Sequence, residues 1–268
     1  MTHGDSEIFG VLRSARRVWA VAAIHGEAAR LTALHRELIG RFATGDRLVY
    51  LGNYLGVGGD IAATLDELLL FRREIFCTPG LEPEDVVFLR GAQEEMWRKL
   101  LQLQFAATPR QVFDWMLAQG AEATLRAYGG DPDTARSRFR EGVLAITKWT
   151  GLLREAVRAH PGHEELLTAL RRAAYTEGGE LLFVSAGVDP GLPLSDQADT
   201  FWWGNSAFSD MTEPFAGFHL VVRGYDRHRR GADIRPPIAS IDSGAGFGGR
   251  LSAACFDLEG HLLDWIDA

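Results

Sequence analysis

Short apolar runs alternate with amphipathic stretches through the first third of this chain. Apolar residues dominate residues 18–24 and 47–51, and each run ends close to a glycine. Between the runs, residues 28–42 carry leucines every three or four positions, which is the spacing of one helix face. A helical pattern at residues 61–76 and an apolar run at residues 85–89 repeat the arrangement. Strand, helix and strand in this order predict an α/β fold.

The middle of the chain has a different character, with helical patterns and few strand signals. We predict amphipathic helices from about residue 94, including one long helix at residues 135–159 and another at residues 164–174. Strands are predicted again afterwards, at residues 181–184, 219–222, 238–242 and 251–257. We therefore expect one domain over residues 1–268, with a helical insertion at approximately residues 95–176.

Charge and composition exclude several functional classes. The formal net charge is −8, whereas a nucleic-acid or anionic-membrane binder would be basic. Residues 1–17 lack the apolar stretch of a secretory signal, and no run approaches the ~20 apolar residues of a membrane span. The two cysteines, Cys77 and Cys255, are expected to be reduced core thiols. These features predict a cytoplasmic protein that binds neither nucleic acid nor membranes.

Five glycine-containing blocks lie at or beside the ends of the predicted strands. They occupy residues 18–26, 52–58, 86–96, 182–188 and 221–225. In order and spacing they resemble the motifs G-D-x-H-G, G-D-x-x-D-R-G, G-N-H-E, V-H-A-G and H-G-H-T of the calcineurin-like metallophosphoesterases. Residues 241–253 are similar to the closing hairpin of that superfamily, so the resemblance extends over roughly residues 17–258.

Within this superfamily the chain most resembles the bacterial serine/threonine phosphoprotein phosphatases and diadenosine tetraphosphatases. The resemblance implies a bacterial protein with a four-layer sandwich, in which two β-sheets are flanked by helices and carry a helical insertion. It also implies a centre with two divalent metals, such as manganese, that polarise a phosphoryl group and activate water.

The metal-ligand positions of the superfamily fall on six residues of this chain. They are Ala23, His25, Asn53, Ala92, Ser185 and Tyr225. Only His25 keeps the residue type that the family uses, and both aspartates of the family have been replaced. Because even the loss of an outer partner weakens a metal site ~10–100-fold, we predict that this chain holds no metal cofactor.

The remaining catalytic positions of the family are also substituted. Gln93 stands where the G-N-H-E histidine would protonate the leaving group, and Gly56 replaces the aspartate that orients it. Val57 and Asn205 stand where phosphate-binding arginines are expected. The resemblance therefore implies a pseudophosphatase with no catalytic residues, which acts by binding a partner protein or a phosphorylated ligand.

An alternative is a phosphoesterase, either a protein phosphatase or a dinucleoside-polyphosphate hydrolase, with a rebuilt active site. The candidate ligand-binding residues for either function are His25, Arg90, Gln93, Glu94, Arg223 and Tyr225. Simpler explanations exist for several of them. His25 could be a hydrogen-bonded relic in a polar cleft, Glu94 could favour a helix N-terminus, and Arg223 could face solvent or pair with Asp226.

Two further surfaces are open to more than one interpretation. The basic run at residues 227–230 is typical of a solvated loop, although it could meet an acidic partner. Trp97, Trp115 and Trp149 in the helical region could mediate a homodimer, or they could be core residues.

Overall fold

Two mixed β-sheets form the centre of the protein. The computed structural model describes residues 8–268. The prediction that residues 1–17 contain no secretory signal therefore falls partly outside the described residues. The strands are β1 (Phe9–Leu12), β2 (Arg17–Val21), β3 (Asp46–Tyr50), β4 (Val86–Phe88), β5 (Ala173–Thr176), β6 (Leu181–Val184), β7 (Leu220–Arg223), β8 (Asp233–Arg235), β9 (Ile238–Ser240), β10 (Ser252–Asp257) and β11 (Leu262–Asp267).

The helices follow the sheets on their outer faces and fill the middle of the chain. They are α1 (Ala28–Ile39), α2 (Ile61–Ile75), α3 (Ala92–Leu100), α4 (Pro109–Met116), α5 (Glu122–Ala127), α6 (Pro132–Glu141), α7 (Val143–Arg158), α8 (His163–Thr168) and α9 (Thr200–Trp203). In α1, Leu31, Leu34 and Leu38 form the buried face that their spacing predicts.

Strand order explains why the motif blocks meet. The first sheet has the order β11-β10-β2-β3-β4, and β2, β3 and β4 are parallel within it. The second sheet has the order β1-β5-β6-β7-β9-β8, with β6, β7 and β9 parallel. Carboxyl ends of neighbouring parallel strands meet at one edge, which is where α/β proteins commonly bind ligands.

Three apolar clusters separate the layers of the structure. Val18 and Ala20 of β2 pack between the sheets against residues such as Phe183, whereas Trp19 and Val21 point to the helices on the other side. A third cluster covers the outer face of the second sheet and includes Phe201 of α9. This alternation buries both faces of each sheet. The predicted α/β class and four-layer sandwich are confirmed.

Two predictions about the helical region are wrong. The single helix predicted at residues 135–159 is two helices, because Gly142 adopts a φ of 94° and ends α6 before α7 begins. The helix predicted at residues 164–174 ends at Thr168, and Ala173–Thr176 is instead β5. Its alanines suggested a helix, but their backbone pairs with β1 and β6. The single domain and the limits of the insertion stay predictions.

Side-chain exposure corrects one cysteine and divides the three tryptophans. Cys255 is buried as predicted, but Cys77 is exposed because it lies in the turn after α2. Trp97 and Trp149 belong to the core, whereas Trp115 is 48% exposed and contacts Trp203. Among the described residues, no helix has the length and apolar character needed to cross a membrane. A homodimer and a cytoplasmic location stay predictions.

Candidate functional site

Backbone hydrogen bonds bring five of the relict metal-ligand positions together at the ends of the parallel strands. The amide of Ala23 donates to Gly224 O at 3.0 Å, and the amide of His25 donates to Asn53 O at 2.7 Å. The amide of Tyr225 donates to Ser185 O at 2.9 Å, which joins the loops after β6 and β7.

The sixth position, Ala92, joins this group through the start of α3. The next residue, Gln93, donates its amide to Asn53 Oδ1 at 3.0 Å. A Cβ placed on Gly91 would lie 2.4 Å from Asn53 N, so only glycine allows the two loops to approach this closely. We call these six positions the relict centre.

The relict centre is closed to solvent and poor in free donor atoms. Ala23 and Ala92 contribute only methyl groups, and both are buried. The side-chain oxygen of Asn53 already accepts the hydrogen bond from Gln93. Asn53 Nδ2 and Ser185 Oγ are buried without a hydrogen-bond partner. Tyr225 is the one position of the six that is partly exposed.

His25 lies beneath two aromatic rings. Its ring centroid is 5.4 Å from that of Tyr225 and 5.3 Å from that of Phe247, and Arg229 stacks over Phe247 at 3.6 Å. Both ring nitrogens of His25 are buried without a partner. Burial lowers the pKa of His25 to about 4; the nearby backbone of Leu55 opposes this effect, and the charge of Arg229 adds a smaller decrease. His25 is therefore neutral at physiological pH.

Glu94 connects the loops around the relict centre. Its carboxylate accepts hydrogen bonds from the backbone amides of Asn53 at 2.9 Å, Leu55 at 3.0 Å and Gly91 at 2.8 Å. Burial raises the pKa of Glu94, although these three donors oppose that effect. This carboxylate stabilises the backbone and has no free face for a substrate.

Two other candidate residues are also engaged within the protein. The side chain of Gln93 donates from Nε2 to Gln119 O at 2.9 Å, which ties α3 to the segment after α4. Arg90 pairs with Glu95 at 3.4 Å, and Glu95 binds Arg98 at 2.7 Å. Burial lowers the pKa of Arg90. Arg90 is therefore part of a separate ion-pair cluster rather than of the relict centre.

Arg223 is buried and pairs with Asp226, which is one of the simpler arrangements considered from the sequence. Its Nη2 lies 3.1 Å from Asp226 Oδ2, its Nε donates to Ser240 Oγ at 3.2 Å, and its guanidinium stacks over Phe208 at 4.7 Å. Asp226 also accepts from Arg230 Nε at 2.7 Å. Although burial opposes it, this hydrogen bond and the nearby arginines lower the pKa of Asp226 to about 2.

A cavity of about 190 Å³ opens beside these groups. Its lining comprises Ala186, Trp203, Gly204, Asn205, Ser206, Arg223, Tyr225, Asp226, Arg227, His228 and Arg230. We call it the arginine cavity. A second cavity of about 100 Å³ shares Arg223, Asp226 and Arg230 with it. The run at residues 227–230 is exposed, as a solvated loop would be, and three of its four residues also line the arginine cavity.

The residues present do not fit two divalent metals. None of the six relict positions carries a carboxylate, and hard divalent ions prefer oxygen ligands of that kind. The nearby carboxylates Glu94, Asp226 and Asp242 all accept hydrogen bonds from backbone amides. Within residues 8–268, one group of three potential ligands occurs, Asp257, Glu259 and His261, in the turn between β10 and β11.

Comparisons with known proteins give the fold an outside reference. No protein-family model matches the chain, and no curated protein does. Several solved structures align over nearly its whole length. A protein described as a diadenosine tetraphosphatase has a TM-score of 0.57 at 20% identity, and the alignment covers 98% of each chain.

Two phosphatases of other specificities have the same arrangement. The cold-active protein-tyrosine phosphatase of a psychrophilic Shewanella species aligns over 98% of this chain and 84% of its own, with a TM-score of 0.53 and 12% identity. A protein serine/threonine phosphatase from Saccharomyces cerevisiae aligns over 94% of this chain and 78% of its own, with a TM-score of 0.50 and 13% identity. The chain therefore has the fold of the calcineurin-like metallophosphoesterases.

Proposed function

We propose that this protein is a catalytically inactive phosphatase-like protein that acts by binding a partner protein or a phosphorylated ligand. The observation that carries this proposal is the relict centre, where Ala23 and Ala92 offer no donor atoms and His25 is enclosed by aromatic rings. Two-metal hydrolysis needs ligands that hold two cations close together. One buried imidazole and one amide whose oxygen is already hydrogen-bonded do not supply them.

The pattern of substitution also has a physical reason. Clustered buried carboxylates are stable when metal ions neutralise them, and without metal they would repel one another and lose hydration. Alanine and asparagine at these positions remove that cost. Meanwhile the glycine contacts that shape the loops are kept, as at Gly91 against Asn53. The scaffold is retained and the charged ligands are not.

The alternative, a phosphoesterase with a rebuilt site, receives less support. Such a site would draw on His25, Gln93, Glu94, Arg223 and Tyr225. Glu94 already binds three backbone amides, and Gln93 binds Gln119. His25 is buried and has no hydrogen-bonded carboxylate to orient it as a general base. Arg223 and Tyr225 remain available for binding rather than for proton transfer.

We expect the purified protein to bind manganese at less than one ion per chain and to hydrolyse no phosphate ester. The measurement is metal analysis after dialysis against manganese, followed by assays with p-nitrophenyl phosphate, a phosphoserine peptide and diadenosine tetraphosphate. His25→Ala serves as the matched control, because His25 is the one family ligand retained. Stoichiometric metal and turnover that both disappear in His25→Ala would contradict the proposal.

A further inference from the structure

Positive charge is concentrated at the arginine cavity although the chain as a whole is acidic. The formal net charge of the protein is −8, yet this cavity is lined by Arg223, Arg227 and Arg230 against one carboxylate, that of Asp226. Three guanidinium groups and one carboxylate leave the lining with a formal excess of two positive charges. Such a concave basic surface attracts anions against the field of the whole protein.

Asp226 holds two of these guanidinium groups in place. Its carboxylate is bound by Arg230 Nε at 2.7 Å and Arg223 Nη2 at 3.1 Å, and its own amide donates to Asp242 Oδ2 at 2.8 Å. A guanidinium has five N–H donors, so Arg223 and Arg230 keep donors beyond those used here. The pair is therefore organised before any ligand arrives, which lowers the entropy lost on binding.

The lining of the arginine cavity also includes neutral polar residues. Asn205 and Ser206 follow α9, and the side chain of Asn205 caps the short helical turn after it by accepting from Ala207 N at 2.8 Å. This contact fixes the backbone at Asn205. His25 is not in the lining, and Tyr225 is the one relict position that reaches it. The cavity thus lies beside the relict centre rather than within it.

The size of the arginine cavity limits the ligand. Pockets for whole drug-sized ligands measure roughly 300–1,000 Å³, whereas this cavity has about 190 Å³. That volume suits one compact anionic group whose remainder projects outside. The planar donor fork of arginine matches carboxylate and phosphate oxygens alike. A phosphomonoester carries about −1.5 to −2 charge and three acceptor oxygens, so it suits three guanidinium groups better than a single carboxylate does.

We propose that the arginine cavity binds the phosphate group of a phosphomonoester without metal, with Arg223, Arg227 and Arg230 as donors and Asp226 as a positioning residue. This inference rests on the proposed function, because the protein would bind a phosphate group without hydrolysing its ester. The ligand is a phosphomonoester, and its binding site lies in the loops after β7 and α9 rather than in the relict centre.

Calorimetric titration in EDTA tests the inference with inorganic phosphate, O-phosphoserine and adenosine monophosphate, and with serine and adenosine as phosphate-free controls. The three phosphate compounds are expected to bind, and the tighter of the two esters identifies a peptide or a nucleotide source. Arg230→Gln is expected to weaken binding of all three about tenfold or more, since a charged hydrogen bond is lost. The Arg230 side chain is 51% exposed, so its substitution leaves the core intact.

Arg229→Gln is the matched control, because it removes the same charge from the same loop but stacks on Phe247 outside the cavity lining. It is expected to bind phosphate within about twofold of the wild type, since exposed charges are screened over a Debye length. Equal weakening by both variants, no phosphate binding, or equal binding of adenosine would overturn the inference. Those results would not contradict the proposal that the relict centre is inactive. Metal-dependent turnover would instead contradict the proposed function, and phosphate binding in EDTA could still be measured separately.

Discussion

Replacing Glu94 with alanine is expected to remove much of the stability of the fold. The substitution leaves the amides of Asn53, Leu55 and Gly91 without their acceptor in a buried region. Each unsatisfied buried donor costs about 1–3 kcal/mol, so the free energy of unfolding should fall by about 3 kcal/mol or more. The whole free energy of unfolding of a domain is about 5–15 kcal/mol. Urea unfolding followed by circular dichroism measures the loss.

Glu94→Gln separates the effect of lost hydrogen bonds from that of lost side-chain volume, and Glu122→Ala serves as a surface control. Glu94→Gln keeps one acceptor oxygen but turns an NH2 group toward a backbone donor. Its loss of unfolding free energy should therefore be smaller than that of Glu94→Ala and larger than that of a substitution at the surface. Glu122→Ala removes an exposed helical ion pair with Arg126 and should cost less than about 0.5 kcal/mol. A Glu94→Ala variant as stable as the Glu122 variant would show that the three contacts do not form.

The strands that position the site could be predicted because their signals are local. β2 and β3 are apolar runs that end near glycines, and their observed limits differ from the predicted ones by one to three residues. β8 and β11 escaped prediction because they lie at the edges of the sheets and are largely exposed. The edge strand β1 also escaped prediction, although most of its residues are buried. An edge strand needs apolar residues on one face only, and in β11 five of the six residues are not buried, so the strand shows no clear alternation.

Contacts at the site could be predicted from the sequence only where the two residues are close together along the chain. The pairing of Arg223 with Asp226 could be anticipated because they are only three positions apart in the sequence. The covering of His25 by Phe247, and of Phe247 by Arg229, joins residues that are far apart in sequence. No spacing rule links them, because the contacts depend on how two loops fold over the ends of the sheets. The same holds for Asn205, which lines the arginine cavity although it is distant in sequence from the arginines.

His25 predicts how stability depends on pH. Burial lowers the pKa of His25 in the folded protein to about 4, against 6.5 for an ordinary histidine. Below pH 6.5 the unfolded chain binds a proton at His25 that the folded chain does not bind, so acid favours unfolding. The contribution of His25 is fully present above that pH and is lost as the pH falls toward 4. Because of this pKa shift, the free energy of unfolding should fall by about 2 kcal/mol between pH 7 and about pH 4.5.

His25→Asn should remove this part of the pH dependence. Asparagine does not titrate in this range, and it tolerates the positive φ of 53° at this position. The free energy of unfolding, measured with urea in EDTA at pH 7 and about pH 4.5, should therefore fall by about 2 kcal/mol less in the variant than in the wild type. His35 and His163 remain in both proteins, so the difference isolates His25. An equal fall in both would mean that His25 reaches water or gains an acceptor, and that the aromatic cover over the relict centre opens.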